Sequence, residues 1–75
     1  MTAPTPGSEL ASYVELLDVL DALPMLLREA RRRRGHSQRV AAVEMGLSFS
    51  TVSRIEGGVG DPALSNVKAV LEYVA

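Results

Sequence analysis

Two short segments between residues 37 and 58 are framed alike. Ser37 precedes QRVAAVEM and Gly46 follows it; Ser48 precedes FSTVSRIE and Gly57-Gly58 follows that. A serine hydroxyl satisfies the free N–H groups that open a helix, and glycine adopts the left-handed conformation that closes one. The spacing therefore predicts helices over 38–45 and 49–56, joined by only Gly46-Leu47-Ser48. Two short helices across a tight glycine-containing turn form a helix-turn-helix unit. Val52 and Ile55, three apart, place one face of the second helix in a core.

The flanks extend the all-α reading. Residues 1–7 (MTAPTPG) form a disordered lead. The domain proper is 8–75. Ser8 caps a helix over about 9–20, with Leu10, Tyr13, Val14, Leu17 and Leu20 on one face. Pro24 belongs in the first turn of a new helix, about 22–34, with Asp21 as its cap; one kinked helix is the competing reading. Arg31 to Arg34 suit the negative end of that helix's dipole, and Gly35 stops it. A last helix, 62–74, is expected from Asp61 as cap, Pro62 as first residue and the apolar face Leu64, Val67, Val70, Leu71 and Val74. No strand pattern or repeat interrupts this series.

Composition excludes several functions. The 75 residues bound one small domain. There is no cysteine, hence no disulfide, thiolate zinc site or cysteine nucleophile; this fits a reducing cytoplasm. No apolar run approaches the ~20 residues of a membrane span, and the N-terminus has no secretory pattern. The single histidine, His36, stands beside Ser37 without a carboxylate pattern, so catalysis and metal binding are not expected; it reads as a half-buried packing residue. No cofactor or small-molecule ligand is expected either. The net charge is −1, but residues 1–27 carry four carboxylates and no base, whereas 28–54 carry seven arginines against Glu29 and Glu44. A basic middle attracts phosphate even when the total is near zero.

Residues 27–71 resemble the helix-turn-helix domain of the phage repressor and Cro family. The pieces that carry the likeness are LREARRRRG (27–35), SQ (37–38), Ala42, GLS (46–48), STVSRIEGG (50–58), Pro62 and the apolar face after it. The resemblance implies a compact five-helix domain that binds double-stranded DNA with helix 49–56 in the major groove. By the same likeness, Phe49, Ser50 and Arg54 face bases, with Ser53 as a further candidate. Ser37, Gln38, Arg39 and Thr51 belong to phosphate contacts, joined by Asn66 and Lys68 beyond the loop. Arg31 and Glu56 form a structural ion pair beneath the surface.

Three features depart from the family. Phe49 stands where a polar or basic residue is usual; it packs on a thymine methyl or on a protein. The loop GGVGDP lacks the usual cations. The extra helix comes first, in place of the family's usual C-terminal one. That helix either packs on helices 22–34 and 64–74 or builds a homodimer through Leu10, Val14 and Leu17. Val40 and Val43 form another apolar pair suited to a partner. Two functions follow: a small DNA-binding repressor of bacterial or phage origin, cytoplasmic and nucleoid-associated, or a protein-interaction or antitoxin-like module on the same fold.

Overall fold

A computed structural model describes the backbone of residues 6–75 and the side chains of residues 12–75. Its helices are α1 (Pro6–Asp21), α2 (Leu23–Arg33), α3 (Gln38–Met45), α4 (Phe49–Glu56) and α5 (Leu64–Val74); no strand occurs among the described residues. The five-helix, all-α helix-turn-helix architecture expected from the sequence is present.

The central two helices end where their local chemistry demands. The Ser37 and Ser48 hydroxyls each accept a backbone N–H at 3.1 Å, from Val40 and Thr51. At the end of α3, Gly46 is left-handed (φ 68°), and the Leu47 N–H reaches back to the Ala42 carbonyl at 2.9 Å. This closure satisfies a carbonyl that the helix itself cannot. α2 and α4 close the same way, through His36 to Arg31 and Val59 to Arg54.

The outer boundaries differ from the sequence expectation, and each difference has a proline in it. α1 starts at Pro6, so Ser8 lies inside its first turn and is not the cap, and Pro6 and Gly7 are helical; the rest of the expected lead lies outside the described residues. Proline suits a first turn because its missing N–H would have no partner there. Asp21 is the last residue of α1 and does not cap α2. The junction is Ala22 alone, in right-handed conformation with no side-chain cap. Ala22 N–H bonds to Asp18 O at 3.0 Å, and Leu26 N–H bonds to Ala22 O at 2.9 Å, so hydrogen bonding continues across the junction. Pro24, lacking an N–H, sits in the first turn of α2, a separate helix, as the sequence expects. Asp61 does not cap α5, and Pro62 precedes that helix. A residue before proline is held extended, and the extended segment continues to Ala63, the actual N-cap.

The core is lean. Leu23, Leu27 and Ala30 of α2, Ala41 and Ala42 of α3, Val52 and Ile55 of α4, and Val70 and Tyr73 of α5 are buried together. Ala42 is buried as its small size requires where α3 and α4 meet. Leu64 is 69% exposed and does not belong to the α5 face, which Tyr73 completes instead. Among the described residues α1 packs substantially only against α2. The expectation that it also covers α5 is not met. Tyr13, Val14, Leu16, Leu17 and Val19 are all exposed, and the Leu10 side chain lies outside the described residues.

Gly46 tests the turn directly. A Cβ there would touch nothing within 4 Å, so the cost of Gly46→Ala is conformational, not steric. The substitution should lower unfolding free energy by about 1–2 kcal/mol, read from urea denaturation.

Candidate nucleic-acid interface

The site is built around one buried carboxylate. Glu56, the last residue of α4, is 4% exposed. The Arg31 guanidinium grips it through Nε to Oε2 at 2.7 Å and Nη2 to Oε1 at 3.0 Å. The Gln38 amide donates to Oε1 at 3.3 Å, and Arg28 approaches Oε1 at 3.6 Å while donating to the Glu56 carbonyl at 3.2 Å. Arg31 also donates to the His36 carbonyl at 3.1 Å. Residues from α2, α3 and α4 thus meet on one group. The expected Arg31–Glu56 pair is present, and Arg28 joins it.

Burial pushes the Glu56 carboxyl up. The hydrogen bonds from Arg31 and Gln38, with the charges of Arg31 and Arg28, outweigh it and hold the group below its ordinary value. The bond to Glu56 likewise raises Arg31, against the opposing effect of burial.

With Val52, Ile55 and Glu56 turned inward, α4 presents its other face to solvent. Ser50 stands opposite the buried side, and Ser53 and Arg54 flank it at helical spacing; all three are exposed. Thr51 is half-buried, and its hydroxyl receives a 2.8 Å hydrogen bond from Ser48. Arg54 lies back toward the loop after α4: its Nη2 would stand 3.4 Å from a Cβ on Gly60. Thr51, Arg54, Ala63 and Asn66 line one groove between α4 and the start of α5. Lys68 is not among its walls; it projects from the solvent side of α5, away from buried Val70 and Tyr73.

At the head of α4, Phe49 is 40% exposed and carries the Arg39 guanidinium over its ring, 4.3 Å from the centroid. Ser37 and Gln38 lie at the head of α3, but Gln38 spends one amide hydrogen on Glu56 and is therefore partly structural. Val40 and Val43 are exposed, Val43 at 79%. His36 is half-buried, as expected, with Nδ1 2.7 Å from the Tyr73 hydroxyl; Arg34 covers the Tyr73 ring at 4.1 Å. Tyr73, Arg28 and the Arg39–Phe49 stack carry no local sequence signal, because each depends on helices meeting in space. Among the described residues no cluster suited to a metal ion occurs.

A family profile described as helix-turn-helix matches residues 27–74, and the chain belongs to that family, of the phage repressor/Cro type. No curated protein and no solved structure matches the chain significantly. The family assignment supports a DNA-binding regulator in general, with DNA as partner; such domains are typically not enzymes. No helix among the described residues is long and apolar enough to cross a membrane.

Two measurements probe the carboxylate hub. Arg31→Met leaves Glu56 buried without its main partner and should cost about 3 kcal/mol or more, read by chemical denaturation. Because the folded Glu56 value lies below 4.5, its contribution is fully present above pH 4.5 and is lost as pH falls through the folded value. Unfolding free energy should therefore drop on acidification from roughly pH 5 to 3, and Glu56→Gln should show a smaller drop.

Proposed function

We propose that the protein is a sequence-specific transcription regulator that acts as a repressor, with α4 placed in the major groove of its operator. The observation that carries this reading is the division of α4. Its inner face is committed to Val52, Ile55 and Glu56, while Ser50, Ser53 and Arg54 are left outward, polar and exposed. Arg54 offers paired N–H donors to guanine O6 and N7, and Ser50 bonds to several bases. Ser37, Gln38, Thr51 and Asn66 are assigned to the backbone, where they fix register. Lys68 has the weakest claim, because it stands outside the α4–α5 groove. Occupying an operator requires nothing of the chain beyond binding, so repression is the simplest mechanism. A bacterial or phage source, and a place in the cytoplasm at the nucleoid, fit this role.

A two-fold dimer would place two copies of α4 about 34 Å apart, one turn of DNA. The exposed face of α1 supports it. Tyr13, Val14 and Leu17 lie on one side, with Glu15 and Asp18 off that stripe and Asp21 at its foot, so the middle of the face is apolar enough for two copies to pair. A second reading, an interaction module or antitoxin-like protein, draws on Val40 and Val43 of α3 and Phe49 at the head of α4, three exposed apolar side chains.

Purified protein should retain one class of upstream DNA fragment at ~50 mM salt and release it as salt rises to ~200 mM. Arg54→Ala should weaken that complex by about 1–3 kcal/mol and relax preference at one base pair. Absence of retention by folded protein at the lower salt would favour the partner-protein reading. Sedimentation should give a dimer, and Leu17→Glu should convert it to monomer with weaker DNA binding.

A further inference from the structure

The Arg39–Phe49 stack does not fit the simple division between a backbone-gripping arginine and a base-facing aromatic. We propose that the two form one reading element: Arg39 is a base reader, addressed to guanine, and Phe49 is the positioning residue that holds it. This rests on the reading of α4 as the recognition helix.

Four observations support it. Phe49 opens α4, the end that enters the groove first. Arg39 comes from the first turn of α3, and its guanidinium lies over the Phe49 ring at 4.3 Å, so the charge of α3 is carried to the head of α4. No carboxylate holds this arginine: among the described residues the ion pairs are those of Glu56 with Arg28 and Arg31. Phe49 remains 40% exposed, so the stack stands at the surface and is not part of the core.

The chemistry follows from shape. A guanidinium held over a ring face can lie parallel to it, which leaves its N–H donors in its own plane, pointing outward from the edge. Guanine presents O6 and N7 as two acceptors in the major groove, which a planar fork meets with two parallel bonds. A free arginine loses much side-chain freedom on making such bonds. One already stacked has lost part of it before DNA arrives, so the complex gains from preorganisation. A lysine at this position would keep the charge but could supply neither the flat stack nor the fork. Phe49 thereby gains a role different from either one expected of it: it touches the reader, and its own exposed edge closes the space beside it.

The test is affinity for a selected site and for every single base-pair change in it, at two salt concentrations. Wild-type protein should prefer G·C at one position besides that read by Arg54. Arg39→Lys should lose roughly 10-fold or more at that position while keeping the salt slope. Phe49→Leu should lose discrimination at the same position, and Phe49→Tyr should retain it. Melting temperatures of all variants establish that they are folded, which the exposure of both side chains favours. Uniform weakening over all sequences by Arg39→Ala, with full discrimination kept by Arg39→Lys, would make Arg39 a phosphate contact and overturn the proposal. Loss at an A·T pair on Phe49→Leu, with Arg39→Lys silent, would overturn it in favour of Phe49 reading a thymine methyl. Wild-type protein with no preference at any position would instead remove the regulator reading itself, and this inference with it.

Discussion

The Glu56 carboxylate is the constraint on which the arrangement of this molecule depends. A carboxylate withdrawn from water is costly, and only a nearly complete set of donors makes the position tolerable. Arg31 supplies two bonds and Gln38 a third, with Arg28 nearby. Those donors come from α2 and from the head of α3, while the acceptor closes α4. The hub can be satisfied in only one relative placement of the three helices. Its net stabilisation is modest, because desolvation opposes it; its consequence is registry. Turning α4 about its axis to present another face would pull Glu56 from its donors. The orientation of Ser50 and Arg54 toward solvent is thus fixed by a bond network on the opposite side of the helix.

That registry matters because the apolar core is thin. α3 and α4 are eight residues each, too short to persist as isolated helices in water. Among the described residues, three of the nine buried apolar side chains are alanines, Ala30, Ala41 and Ala42, which allow helices to approach closely but bury little surface. Leu27, Val52 and Val70, fully enclosed, form the centre. Capping hydroxyls at Ser37 and Ser48, left-handed closures such as Gly46, and the polar hub therefore carry a larger share of the specification than they would in a bulkier domain.

How much of this was legible in the sequence follows from the range of each interaction. The bounds of α3 and α4 were legible to the residue because cap and closure lie within a few positions of each other. Asp21 and Asp61 misled for the same reason: each is a good cap by type, but the proline chemistry beside it placed the helix elsewhere. The Arg31–Glu56 pair spans 25 positions, and periodicity does not indicate it; the family likeness did. Arg28 on the same carboxylate, Tyr73 against His36, and Arg39 on Phe49 were not legible, since each requires knowing which side chains two helices bring together. The place of α1 stayed open between two readings because its apolar face can be satisfied equally well by its own domain or by another surface, and sequence does not rank those.

The position of α1 also bears on how a chain of net charge −1 can approach DNA. Its foot, at Leu20 and Asp21, shares a cleft with Pro24, Ile55 and Val59, near the C-terminal end of α4. Phe49 and Ser50 stand at the other end, the one that the proposed function places in the groove. The helix is 16 residues long, about 24 Å at helical rise, and its flanks bear the acidic side chains. A Debye length is about 10 Å at 0.1 M salt, so an α1 carboxylate farther than that from the heads of α3 and α4 acts there only weakly. On the proposed reading of α4, the cations that would meet DNA first are the exposed Arg39 and Arg54. The overall charge is a poor guide to affinity in such a molecule; the separation of its two charged regions along the fold is the quantity that decides it.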